Sequence, residues 1–285
     1  MTGTWRRGSG CMVVLGGGGV RGVAHVGVLR ALAESGVRIE AIVGTSIGAI
    51  VGAAVAAGVD PDALTERARR FGRDDIVTVN RWALLLNGIR QTSVFTGERL
   101  RAFIAEVVPA VSWSELTIPL SVNAVDMQTA RVEWFGAGGR VDVTLYDALY
   151  ASSSLPLYYP PAELDGRYYF DGGILDPLPI QHAVELGAER IIAVDLSTEL
   201  NENAAAEISK GLVGVHHRVL SVLRTHARRQ EQRADWPVPV LVIRPNLASF
   251  GTWDFDKANL FLDEGYRAAR AALEEGATQR AASGR

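Results

Sequence analysis

A serine bracketed by glycines, Gly44-Thr45-Ser46-Ile47-Gly48, is the first place in the chain where chemistry could sit. The G-x-S-x-G pattern suits a strand–turn–helix elbow. There the serine takes a strained backbone, and glycines keep side chains out of a crowded turn. A serine at the first turn of a helix also faces the positive end of the helix dipole, which favours developing negative charge. Taken alone, such a pattern arises by chance in roughly one chain in five of this length and glycine content. Its placement after the apolar run 41–43 is what gives it weight.

Upstream, Gly17-Gly18-Gly19-Val20-Arg21-Gly22 follows a second apolar run, 12–15, and precedes a helical pattern. The segment satisfies G-x-G-x-x-G, so a dinucleotide site is one reading. That reading requires an acidic residue at the end of the second strand to hold a ribose. Here the second strand ends in Gly44-Thr45-Ser46, and Glu40 lies before it. A glycine turn at a helix N-terminus can equally offer backbone N–H groups to an anion, and for a tetrahedral intermediate that makes an oxyanion hole. Arg21 adds a cation to this loop, or is a solvated surface residue. Far downstream, Asp171-Gly172-Gly173 is first of all a turn signal. It follows the short apolar run 168–170, which would put the carboxylate at a sheet edge.

The elements that must position these groups alternate. Runs 12–15, 41–43, 118–125, 131–135, 168–170, 191–196 and 238–243 read as strands. Helical spacing covers 23–35, 47–57, 179–186, about 204–234 and 256–275. Asp60 before Pro61 reads as an N-cap, and Thr144 with Asp147 as a capping box opening a helix through about 152. Strands alternating with helices predict an α/β fold with a largely parallel central sheet flanked by helices. No repeat or low-complexity linker divides the chain. The expectation is one domain over 11–276, with its motifs in 13–197, and flexible ends at 1–10 and 277–285.

Composition narrows the function classes. Of 285 residues, 48% are apolar and 21% charged, enough for a sizeable core. Twenty-nine basic against 32 acidic residues give a net charge of −3, too weak a field to hold nucleic acid. The single cysteine, Cys11, excludes an internal disulfide and fits a reducing compartment. No apolar segment precedes it in the manner of a secretory signal, so a cytoplasmic location is expected. The uncharged stretch 41–59 carries Gly44, Gly48 and Gly52 at the spacing of packed membrane helices, but a buried strand and a small-residue helix explain it better. No His/Asp cluster stands at metal-ligand spacing, and no cofactor is expected.

The order glycine loop, elbow, Asp-Gly-Gly, each at a strand end, resembles the patatin-like phospholipase family. The similar text is "VVLGGGGVRGVAHVGVLRAL", "GTSIGAI", "ASSSLPLYYPP" and "DGGILDPLP", and more loosely "DEGYRAARAALEE". Gly16 stands where many members carry Asp, and "ASSSLP" replaces a commonly Ala-rich stretch. The resemblance implies a patatin-like fold related to the α/β-hydrolase architecture. It also implies hydrolysis of acyl esters, often phospholipids, by a Ser–Asp dyad without histidine. By position Ser46 is then the nucleophile, Asp171 the general base, and 17–22 the oxyanion loop, acting through an acyl-enzyme. A catalytically silent acyl- or partner-binding relative is the alternative, with a dinucleotide-binding protein behind it. An ordinary aspartate is a poor base at neutral pH, so burial must raise its pKa.

The expected partner is a lipid or other acyl ester, with peripheral contact at the inner membrane face left open. Trp82, Leu84, Leu85 and Leu86, in a loosely structured middle, could form a lid or membrane-touching segment, and Tyr158, Tyr159, Trp253 and Phe255 pocket walls; ordinary core is the commoner role for each. A competing Ser–His–Asp triad needs a histidine after the acid. His182, His216, His217 and His226 qualify by order, but none follows a strand end. His25 reads as a packing residue, His216 and His217 as surface residues. Arg224, Arg228, Arg229 and Arg233 read as a solvated helix face.

Overall fold

The computed structural model describes residues 10–79, 92–198, 204–232, 234–247, 250–251 and 253–283. The chain enters through β1 (Gly10–Leu15), turns at the glycines into α1 (Val23–Glu34), and returns as β2 (Arg38–Gly44) parallel to β1. Val13, Val14 and Leu15 are wholly buried. A strand covered on both faces reads as such a continuous apolar run. After the Ser46 elbow come α2 (Ile47–Ala56), α3 (Pro61–Arg69), the short α4 (Arg73–Ile76) and α5 (Glu98–Val107). The Asp60 cap forms as expected, its Oδ1 accepting from Asp62 and Ala63 N–H at 2.9 and 3.2 Å. The helix α5 falls in the stretch read from sequence as loosely structured. The lid segment, Trp82 with Leu84–Leu86, lies outside the described residues.

The hairpin β3 (Leu120–Asp126) and β4 (Arg131–Gly136) follows, then α6 (Leu145–Ser153), β5 (Ala162–Leu164) and β6 (Arg167–Asp171). The chain continues through α7 (Ile180–Glu185), β7 (Ile191–Val194), α8 (Ala204–Ile208), α9 (Gly211–Gln232), β8 (Val240–Ile243) and α10 (Ala258–Ser283). The single helix expected over 204–234 is broken, because Gly211 stands at φ 71°. Helix α10 runs on to Ser283, where Ala, Gln and Arg beyond Gly276 are good helix formers. Helices α1 and α10 cross closely; a Cβ on Gly27 would meet the Tyr266 nitrogen at 2.7 Å.

The fold is α/β. Among the described residues the sheet has eight strands, in the order β5-β6-β3-β2-β1-β7-β8 with β4 pairing β3 off that path. Strands β3, β2, β1, β7 and β8 are parallel, whereas β4, β5 and β6 join antiparallel at one end. Strand order reverses between β1 and β7, which opens a crevice at the carboxyl ends of the central strands. Residues 41–59 form β2 and the buried α2. No helix among the described residues is long and apolar enough to cross a membrane.

Candidate active site

Ser46 leaves β2 at φ 55° and ψ −127°, a conformation a side chain rarely takes. The neighbourhood enforces it. A Cβ on Gly44 would stand 2.5 Å from Ala49 Cα, and one on Gly48 would stand 2.7 Å from Gly16 O. The Ser46 N–H donates to Ser152 Oγ at 2.9 Å, and Thr45 Oγ1 donates to Asp176 O at 3.3 Å. The elbow is thereby tied to the last turn of α6 and to the turn after β6.

Asp171 arrives from the other side of the sheet. Strand β3 runs past the end of β2: Gly44 pairs with Val122, while β3 continues to Asp126. Strand β6 descends antiparallel along that overhang and ends with Asp171 opposite Ala124, two residues beyond the level of Gly44. Ser46 Oγ donates to Asp171 Oδ2 at 2.6 Å, across 125 positions of chain. The other carboxylate oxygen accepts from Gly173 N–H at 2.7 Å. Ser46 is 8% and Asp171 2% exposed. Burial pushes the Asp171 carboxyl above the usual aspartate range, while Arg224, the Ser46 hydroxyl and the Gly173 N–H pull the other way.

The glycine loop passes alongside. A Cβ on Gly17 would lie 3.7 Å from Ser46 Cβ, and Gly19, at φ 60°, lines the same cleft as Ser46. One donor of the expected loop is already taken, since Gly17 N–H donates to Pro177 O at 3.0 Å. Of the rest of the loop, Gly19 lines the cleft and Gly18 packs against Leu196. Val20, Arg21 and Gly22 form a buried 3-10 turn behind them, with Gly22 packed on Ile47. Arg21 is buried rather than solvated, and its Nε donates to Gly18 O at 3.2 Å. Burial lowers its pKa to about 10, and Arg224 adds to the effect. His25 does more than pack: its Nε2 donates to Gly16 O at 2.7 Å, and burial lowers its pKa to about 4, keeping the ring neutral.

The cleft, about 520 Å³ counting its open mouth, has apolar walls in Ile47, Ile50, Phe71, Ile76, Leu100 and Leu155. Of the four aromatic candidates, Tyr159 and Trp253 line it. Tyr158 stands behind, against Phe95 and Trp253, and Phe255 packs on Phe71. A second apolar cavity of about 370 Å³ shares Ile47, Ile50 and Phe71 with the first.

Several contributors were not legible in sequence. Asn123 Nδ2 donates to Asp176 O at 2.9 Å and pins the Asp-Gly-Gly turn, where a Cβ on Gly172 would overlap the Asn123 side chain. In "SSS", Ser152 holds the elbow, Ser154 Oγ donates to Tyr150 O, and the Ser153 hydroxyl lines the cleft without a partner. Arg224 is no solvated residue: it lines the cleft, its Nε 3.3 Å from Gly173 O. Arg228 also turns inward, 3.5 Å from buried Asp195. Arg229 is exposed as expected, and Arg233 lies outside the described residues.

Each of the five histidines is engaged away from Ser46 and Asp171. His182 is bonded to Ser121 Oγ at 2.9 Å and stacked on Trp134. His216 and His217 are half-buried rather than superficial, against Pro156 O and the Tyr158 hydroxyl. His226 meets Gln230. A serine hydroxyl bonded to a buried carboxylate, beside a glycine loop and an apolar cleft, is an arrangement that can perform acyl transfer.

Comparison with known proteins gives the family. Residues 13–184 match the family described as patatin-like phospholipase. An uncharacterised NTE-family protein of Mycobacterium tuberculosis is 36% identical over 185 residues, covering 65% of this chain and 48% of that one. Lysophospholipase nte1 of Aspergillus fumigatus is 30% identical over 283 residues, covering 92% of this chain and 18% of that one. The chain thus spans about half or less of the length of these relatives. Among solved structures, VipD from Legionella pneumophila aligns with a TM-score of 0.54 at 14% identity, over 95% of this chain and 67% of that one, a likeness of fold.

Proposed function

The chain belongs to the patatin-like phospholipase family, and from that premise we propose that it hydrolyses lipid acyl esters, with Ser46 as nucleophile and Asp171 as proton acceptor. The observation that carries this reading is the 2.6 Å bond from Ser46 Oγ to Asp171 Oδ2, made by a serine held at positive φ beside the glycine loop. As Ser46 Oγ attacks the ester carbonyl, its proton passes to Asp171, and the new oxyanion lies against the N–H groups of Gly18 and Gly19. Asp171 then returns the proton to the leaving alcohol as the C–O bond breaks, leaving an acyl-Ser46. Water attacks this ester, its proton moves to Asp171 and on to Ser46 Oγ, and the carboxylic acid departs. Burial supplies the basicity that an exposed aspartate would lack.

The apolar walls of the cleft and its neighbouring cavity favour an acyl chain over a polar acyl group. The name of the Aspergillus relative, a lysophospholipase, supports a lipid ester as the substrate class. The test is to incubate the purified protein with p-nitrophenyl butyrate and with lysophosphatidylcholine, then treat it with a fluorophosphonate and map the adduct by peptide mass spectrometry. Hydrolysis of both esters and a single adduct on Ser46 are expected. An adduct on another serine, or hydrolysis that survives Ser46→Ala, would remove Ser46 from the mechanism.

A further inference from the structure

Helix α9 is amphipathic in the reverse of the usual sense. Of the thirteen exposed large apolar side chains among the described residues, seven lie between Ile208 and Leu223. At about 100° per residue, Leu212, Val215, Val219, Val222 and Leu223 fall within about 100° of arc on the outer face. Leu212 is 74% and Val219 52% exposed. The opposite face carries His217, Arg224 and Arg228 against Tyr158, Gly173 and Asp195. A surface helix ordinarily buries its apolar stripe, so an outward stripe marks a binding surface.

We infer that this stripe seats the protein on an anionic lipid surface. Two observations select that occupant. Of the arginines of this helix, Arg224 and Arg228 turn inward, but Arg218 and Arg229 fall within about 40° of one edge of the stripe, Arg229 exposed, so the charge beside the stripe complements anionic headgroups. Two copies packed stripe to stripe would bring these like charges together, which disfavours a second copy. The other observation is continuity with the cleft. The helix whose outer face would meet lipid presents Arg224 on its inner face to the wall around Ser46 and Asp171, about one helix diameter, ~10 Å, away. Docking there holds the cleft beside the surface from which a lipid ester would be drawn. The choice of a lipid over other apolar partners rests on the hydrolase reading above.

The test compares the full chain with a triple variant, Leu212→Gln, Val219→Gln and Leu223→Gln. Glutamine keeps helix propensity while removing the apolar stripe. Co-sedimentation uses vesicles of phosphatidylcholine mixed with phosphatidylglycerol, and p-nitrophenyl butyrate in free solution reports the chemistry independently. Wild-type protein should bind the vesicles, more weakly as salt rises. The variant should bind at least about tenfold less tightly, with unchanged hydrolysis of the soluble ester. Failure of the wild type to bind, or equal binding by the variant, overturns the proposal. So does a dimer seen by light scattering that the triple variant dissolves, since a second copy would then own the stripe. Stripe-dependent vesicle binding without any ester hydrolysis would support docking and refute the hydrolase reading instead.

Discussion

Replacing Asp171 with Asn separates catalysis from stability, and the two should move in opposite directions. The substitution keeps the size of the side chain and an oxygen for the Gly173 N–H, but removes the acceptor that lies 2.6 Å from Ser46 Oγ. No histidine stands by to replace it, because each is engaged elsewhere. General-base catalysis contributes about 10²–10⁴-fold. With both proton transfers of the cycle routed through this one carboxylate, kcat for p-nitrophenyl butyrate should fall by about 10³–10⁴, or about 4–5.5 kcal/mol. The double variant with Ser46→Ala should be no slower than either single one, since the groups act in one step. Stability runs the other way. The folded-state pKa of Asp171 is raised by burial, whereas in the unfolded chain it is near ~3.9. Between those values the folded protein binds more protons than the unfolded one, so wild-type stability falls as pH rises through this window. Asn carries no charge to desolvate, so the variant should unfold at higher temperature than wild type at pH 7, with the difference vanishing toward pH 3. Calorimetry alongside steady-state kinetics measures both. A kcat within tenfold of wild type, with the fold intact by circular dichroism, would refute the assignment of Asp171 as base; a variant less stable than wild type at pH 7 would refute the argument from burial.

Other changes report on the surroundings. Arg224→Gln removes a cation that draws the Asp171 pKa down, so the acid limb of the kcat/KM profile should move to higher pH; a limb that stays put would show that the Arg224 charge does not reach the carboxylate. In Gly48→Ala the new Cβ would stand 2.7 Å from Gly16 O and closer still to Leu15, backbone that cannot swing aside, so denaturant unfolding should show a loss of about 2–3 kcal/mol or more. His182→Gln loses its stacking on Trp134 and its bond to Ser121, and the protein should melt earlier. Its kcat/KM should nonetheless stay within about tenfold, about 1.4 kcal/mol; a thousand-fold loss with folding intact would restore a histidine triad.

What the sequence determined by itself was local. The turn at Gly44-Thr45-Ser46-Ile47-Gly48 and the loop at Gly17–Gly22 were legible because a backbone packed too tightly for a Cβ selects glycine, whether the crowding is local, as Ala49 is to Gly44, or distant, as Leu15 is to Gly48 and Ile47 to Gly22. Strand and helix positions were legible from periodicity to within a few residues. They failed at β5, three residues long and too short to show a period, whereas α5 carries a full helical period in Leu100, Phe103, Ile104 and Val107 that was legible in the middle read as loosely structured. The meeting of Ser46 with Asp171 was decided only in three dimensions. It depends on β3 outrunning β2 and on β6 descending antiparallel along the overhang, a register set by hydrogen bonds between distant segments. Asn123 and Ser152 escaped notice, and Arg224 was read as solvated, for the same reason: each acts on a residue some fifty to a hundred positions away. Helix α9 shows the limit most plainly. Periodicity tells which side chains share a face, but not what that face meets. Here Arg224 and Arg228 turn inward, to a carbonyl and a carboxylate that tertiary packing had buried, and the apolar stripe is left facing out.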